Sequence, residues 1–111
     1  MATRNADTDP TEGLPQVVVD DLLAVDSRRC ALELLREEGD AMVVEDLAEA
    51  VVANRDGCDC SAVSESQRSA MADELFSAHI PKLTATGVVR YDSMLGAVEL
   101  ERPDILPDGR A

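Results

Sequence analysis

Apolar positions recur with two periods along this chain, first helical and then alternating, and the change of period sets the order of elements. Val18, Leu22 and Val25 fall on one face of a short helix over Val17 to Val25. A second helix, Arg28 to Glu38, buries Ala31, Leu34 and Leu35, with Cys30 and Leu32 beside the stripe and Asp26 or Ser27 as the cap. Gly39-Asp40 ends it. Ala41 to Val44 is β-prone. Leu47, Ala48, Val51 and Val52 then return to helical spacing, with Glu45 and Asp46 in the first turn, where the helix dipole favours negative charge. Asp56-Gly57 breaks this third helix.

Ser64 opens the next and longest helix, with Gln67 at the spacing of a capping box. Met71, Ala72, Leu75, Phe76, His79 and Leu83 trace its buried face. Pro81 interrupts that face: it has no amide to give the carbonyl of Ser77, so a kink or a restart is expected. Gly87 closes the helix. Val88 to Tyr91 and Ala97 to Leu100 then form a β-hairpin joined through Asp92 to Gly96. Residues 1–16 read as a disordered acidic tail, 17–100 as one domain and 101–111, with Pro103, Pro107 and Gly109, as a flexible tail. Helix, helix, short strand, helix, longer helix and hairpin is the order of a winged helix-turn-helix: mainly α with a small β-hairpin.

Charge changes the picture. The chain of 111 residues carries 23 acidic and 10 basic side chains, a formal net charge of -13. Nucleic-acid binding draws on Lys and Arg, so this balance argues against it. At about 1 M salt, however, the Debye length falls to roughly 3 Å and neighbouring carboxylates repel one another little. Lys82 is the single lysine, and the apolar set leans on Ala and Val, so the expectation is a halophilic, acidic protein. The charge is also uneven. Residues 1–63 hold 15 acids and 5 bases, whereas 64–91 hold 3 of each. A surface that meets a polyanion is therefore expected between Ser64 and Tyr91.

The stretch Ala78-His79-Ile80-Pro81-Lys82-Leu83-Thr84-Ala85-Thr86-Gly87-Val88-Val89-Arg90-Tyr91-Asp92 resembles the H-L-P-K-L-x-x-x-G-V-V-x-Y-D signature of a family of small haloarchaeal winged-helix domains. Asp21-Leu22-Leu23 and Arg28 to Leu35 look like that family's opening, and Glu45-Asp46-Leu47-Ala48 like its middle helix. The resemblance covers Val17 to Leu100. It implies a winged helix, with DNA binding as the family's expected but unestablished function. Two departures stand out: Val44 lies where such domains often place a Ser or Thr cap, and Asp56 to Val63 is long for a tight helix-turn-helix turn.

These readings converge on a DNA-binding transcriptional regulator, a homodimer at high salt, with double-stranded DNA as its partner. Glu65, Gln67, Arg68 and Ser69 would reach base edges from the start of the fourth helix, Arg90 and the loop Asp92 to Gly96 would form the wing, with Arg90 and Ser93 as its DNA contacts, and Lys82 would touch phosphate if its end of the helix faces outward. The alternative is a winged-helix module that binds another protein instead of DNA.

No Ser/His/Asp spacing, phosphate loop or second histidine suggests an enzyme, and no cofactor, metal or catalytic residue is expected. His79 reads as a packed core histidine, and Cys58-Asp59-Cys60, with no second pair to complete a zinc site, as free loop thiols, with a thiol-based redox or metal sensor as the third reading. Arg28-Arg29 reads as pairing with Asp26 or Glu33, and Glu37-Glu38 and Asp20-Asp21 as solvated surface. No apolar run is long enough to span a membrane, and with no leader-like start and few cysteines a cytoplasmic protein is expected.

Overall fold

The computed structural model describes residues 14–106, which form a mainly helical domain with a small antiparallel sheet. Helices α1 (Gln16–Leu23) and α2 (Asp26–Glu38) lead to strand β1 (Met42–Val43) and helix α3 (Val44–Asp56). Helix α4 (Glu65–Glu74) runs through a π turn (Leu75–His79) into α5 (Ile80–Ala85), and β2 (Val89–Asp92) and β3 (Ala97–Leu100) complete the fold. The sheet order is β1-β3-β2. Met42 pairs with Val98, and Val89 pairs with Leu100, both antiparallel. This is the predicted winged helix-turn-helix.

The core is one cluster that joins every layer: Leu22, Leu32 and Leu35, then Val44, Leu47, Val51 and Val52, then Met71, Leu75 and Leu83, with Val88 and Val98 from the sheet. α3 and α4 pack against each other more extensively than any other pair of elements. The long connection between them does not loosen this packing. A 3-10 turn at Cys60–Ala62 takes up its slack, and Val63 is buried beyond it.

Several boundaries differ from the sequence reading, each for a local reason. α1 ends at Leu23, so Val25 is exposed and serves as the N-cap position of α2. No side chain caps that helix; Ser27 lies inside it and is engaged elsewhere. Val44 is the first residue of α3 and is buried, leaving β1 only two residues long. Phe76, expected in the core, is 44% exposed, because the π turn rotates the helix before it restarts. At the C-terminal side, the amides of Glu101 and Arg102 donate to the Val88 carbonyl, and Ile105 and Leu106 are buried. Residues 101–106 therefore belong to the domain. Of the tails expected at 1–16 and 101–111, residues 1–13 and 107–111 lie outside the described residues, whereas Leu14 packs against the core and Gln16 already opens α1.

Candidate nucleic-acid interface

α4 begins as its sequence requires. The Gln67 amide donates to Ser64 Oγ and the Ser64 amide donates to Gln67 Oε1, each at 3.0 Å, a complete capping box. Gln67 Nε2 also reaches Asp56 Oδ2 at 3.5 Å. The side chain expected to read a base is thus engaged in holding the helix start. Glu65, Ser66, Ser69, Ala70 and Asp73 form the exposed face of α4, a surface of small polar and acidic groups.

The three expected cations are each drawn to carboxylates. Arg68 lies 3.7 Å from Glu49 of α3 and is only partly exposed. Lys82 faces outward on α5 and pairs with Asp21 of α1. Hydrogen bonding and charge from Lys82 hold the Asp21 carboxyl below its ordinary range. Arg90 donates to Glu99 at 2.7 Å across the hairpin and lies 3.6 Å from Glu101, and these two neighbours raise its pKa above the usual arginine value. The pairs of Lys82 and Arg90 are exposed, and solvent screening leaves such pairs individually weak.

The wing is set by an Asx turn. Asp92 Oδ1 accepts the amides of Met94 and Leu95 at 2.9 and 3.3 Å, and Gly96 takes the positive φ of 65° that closes the loop. The Gly96 carbonyl then accepts the Val44 amide, which ties the wing to the start of α3. Ser93 is exposed on this loop as expected. Its neighbours Met94 and Leu95, in the loop expected to form the wing, are 93% and 69% exposed.

Beneath the surface, π-turn geometry carries His79 inward. Its imidazole is 4% exposed, with Nε2 at 2.8 Å from Glu74 Oε2 and 3.0 Å from Ser27 Oγ. Ser27 Oγ donates to Glu74 Oε2 at 2.6 Å. Because that donation uses the hydroxyl proton, Nε2 carries a hydrogen that it donates to Glu74. Nδ1 is buried with no partner among the described residues. Bonds from Ser27 and His79 hold the Glu74 carboxyl below its ordinary range. All three groups lie where α2 meets α4, which makes this cluster an internal clamp.

The buried Arg28, 5% exposed, has a similar role. Its guanidinium donates to the carbonyls of Leu22 and Asp21 at 2.7 and 2.8 Å and so finishes α1. Only Arg29 pairs with Asp26 and Glu33 as expected. Cys30 is half-buried and its thiol, raised in pKa by burial, donates to Asn54 Oδ1. Cys58 and Cys60 are exposed and reduced, and the described residues contain no cluster of three or more metal-ligand side chains. Nor is any helix among them long and apolar enough to cross a membrane.

An exposed, capped helix beside a β-hairpin wing, supported by α2, α3 and a three-stranded sheet, defines the winged-helix class. Within that class, the chain belongs to a domain-of-unknown-function family, DUF7344, which matches residues 20–99. Neither the curated proteins nor the solved structures contain a match to this chain.

Proposed function

We propose that this protein is a DNA-binding transcriptional regulator of winged-helix type that works at high salt. The observation that carries the reading is the placement of α4: its capped N-terminal half presents Glu65, Ser66 and Ser69 to solvent while its other face is fixed on α3. In this reading α4 enters the major groove, Ser93 and Arg90 on the wing meet the flanking backbone, and Arg68 leaves Glu49 for a base edge. The resemblance to haloarchaeal winged-helix domains supports the same assignment. Every cation transferred to phosphate would strand a carboxylate near the DNA, so binding requires the screening of molar salt.

Titration of genomic DNA fragments in about 1–3 M KCl, where the Debye length is roughly 3 Å or less, tests this directly. Arg68→Ala should weaken specific binding by about 1–3 kcal/mol, the usual worth of a bidentate contact with guanine. Arg90→Ala should weaken all sequences alike, because phosphate contacts carry little sequence information. A wild-type chain that is folded by circular dichroism but binds no fragment removes the regulator.

A winged-helix module that binds protein is then the reading that remains. The pairing of Arg68, Lys82 and Arg90 with acids and the exposure of Phe76, Met94 and Leu95 favour it.

A further inference from the structure

β2 is an edge strand, and its outer side opens onto a groove of about 980 Å³ between the strand and α5. Phe76, Ile80, Pro81 and Tyr91 supply much of the apolar part of its lining, with Thr84, Thr86 and Gly87 also lining it. Phe76 meets Tyr91 edge to face at 5.9 Å, yet remains nearly half exposed. Of the six exposed large apolar side chains among the described residues, Phe76 lies in this groove, and Met94 and Leu95 lie on the loop that continues β2. Apolar surface concentrated at one edge of an otherwise acidic domain marks a contact.

The register of the hairpin shows which backbone groups that edge offers. Val88 accepts from Glu101, and pairing then continues through Arg90 with Glu99 and Asp92 with Ala97. In an antiparallel ladder the hydrogen-bonded pairs alternate, so the amides and carbonyls of Val89 and Tyr91 point away from β3. Val89 is 4% exposed, so Tyr91, partly exposed beside the groove, is the residue whose backbone pair is open to another strand.

We propose that the occupant of this edge is the β2 strand of a second copy of the chain, paired antiparallel about a two-fold axis at Tyr91. With Tyr91 opposite Tyr91 of the second copy, the two residues exchange both backbone hydrogen bonds. Val89 then meets Ser93 of the second copy, and Arg90 lies directly opposite Asp92 of the second copy in the closely spaced, non-hydrogen-bonded pair. The symmetry repeats each contact, so two opposite-charge pairs form from one sequence. The same register brings the Met94-Leu95 tip over Thr84, Thr86 and Gly87 of the facing groove. One arrangement therefore covers the edge, the groove and the wing tip; it places Arg90 and Ser93 in the seam, so of the DNA contacts proposed above it leaves only those of α4 free. Net charge opposes the association at low salt and is screened at high salt.

Sedimentation velocity of the full chain, over a concentration series in about 0.1 to 3 M KCl, should show a monomer that becomes a dimer as salt rises. Two charge variants test the register. R90D places like charges opposite each other in both pairs, as does D92R, so each alone should be monomeric at about 0.5 M KCl, where screening is still incomplete. Mixed in equal amounts they should form a heterodimer, because each variant then meets the opposite sign.

Asp92 also supports the wing turn, so Phe76→Asp is the companion variant. It places a carboxylate in the groove, removing the Phe76 contact with Tyr91 but leaving every hairpin residue in place, and it should abolish the dimer while circular dichroism is unchanged. A wild-type chain that stays monomeric up to about 1 mM, or a dimer that survives Phe76→Asp, overturns the proposal. Failure of the two folded charge variants to pair when mixed overturns the register. None of these readouts depends on DNA.

Discussion

The contact of Ser27, Glu74 and His79 shows how a few polar atoms join two helices that are far apart in sequence. Glu74 has a depressed pKa, so its bonds stabilise the fold fully above the ordinary carboxyl range and lose that contribution as pH falls through the lower, folded-state value. Thermal unfolding of wild type and Glu74→Gln, compared from about pH 6 down to pH 3 at high KCl, should show a gap that closes below about pH 4. A gap constant across that range would mean that the charge contributes nothing. Arg28 makes a different demand, because its carbonyl partners lie at the buried end of α1. Arg28→Ala should cost about 1–3 kcal/mol in denaturant unfolding, the usual penalty for polar groups left without partners. A loss within about 0.5 kcal/mol, as at an ordinary surface site, would show that water replaces the guanidinium.

Among the elements, the fourth helix best shows how local rules combine with packing. Its start follows from Ser64 and Gln67 alone, because a capping box closes within four residues. Its interruption was also legible, since Pro81 has no amide for the Ser77 carbonyl. The form of the interruption was not. The chain widens into a π turn before the proline, with the Ile80 amide donating to the Leu75 carbonyl, and this one extra residue turns Phe76 outward and His79 inward. Leu75→Ala should therefore cost about 2–5 kcal/mol, while Phe76→Ala should cost markedly less in the monomer. Equal losses in denaturant titrations would place both side chains in the core. Pro81→Ala restores an amide to the helix and should shift the His79 ring signals in NMR spectra, because the ring is held in place by the widened turn.

For the whole molecule, the governing quantity is a net charge of -13 on a small domain. Self-repulsion destabilises a compact state, and salt weakens it. The unfolding midpoint should therefore rise as KCl increases from about 0.1 to 3 M, the range over which the Debye length shrinks from roughly 10 Å to below 3 Å. A flat curve would remove the basis for a salt-requiring fold. The charge pattern also limits what the candidate interface can do. Residues 64–91 are neutral by count, but the structure distributes acids from α1, α3 and β3 onto the cations of that block: Asp21 onto Lys82, Glu49 onto Arg68, Glu99 onto Arg90. A segment count reads charge along the chain, whereas a partner meets charge in space.

The amino-acid sequence by itself determined the order of the helices, the wing and most of the core, because helical and strand periodicity and a capping box act over a few neighbouring residues. It also marked the long helix as interrupted and His79 as buried. Only the tertiary structure decided the partners of Ser27 and Arg28, the outward turn of Phe76 and the inclusion of Ile105 and Leu106 in the core. Each of these depends on an element brought close from elsewhere in the chain, or on a one-residue change of helical register, and no local periodicity encodes such an approach.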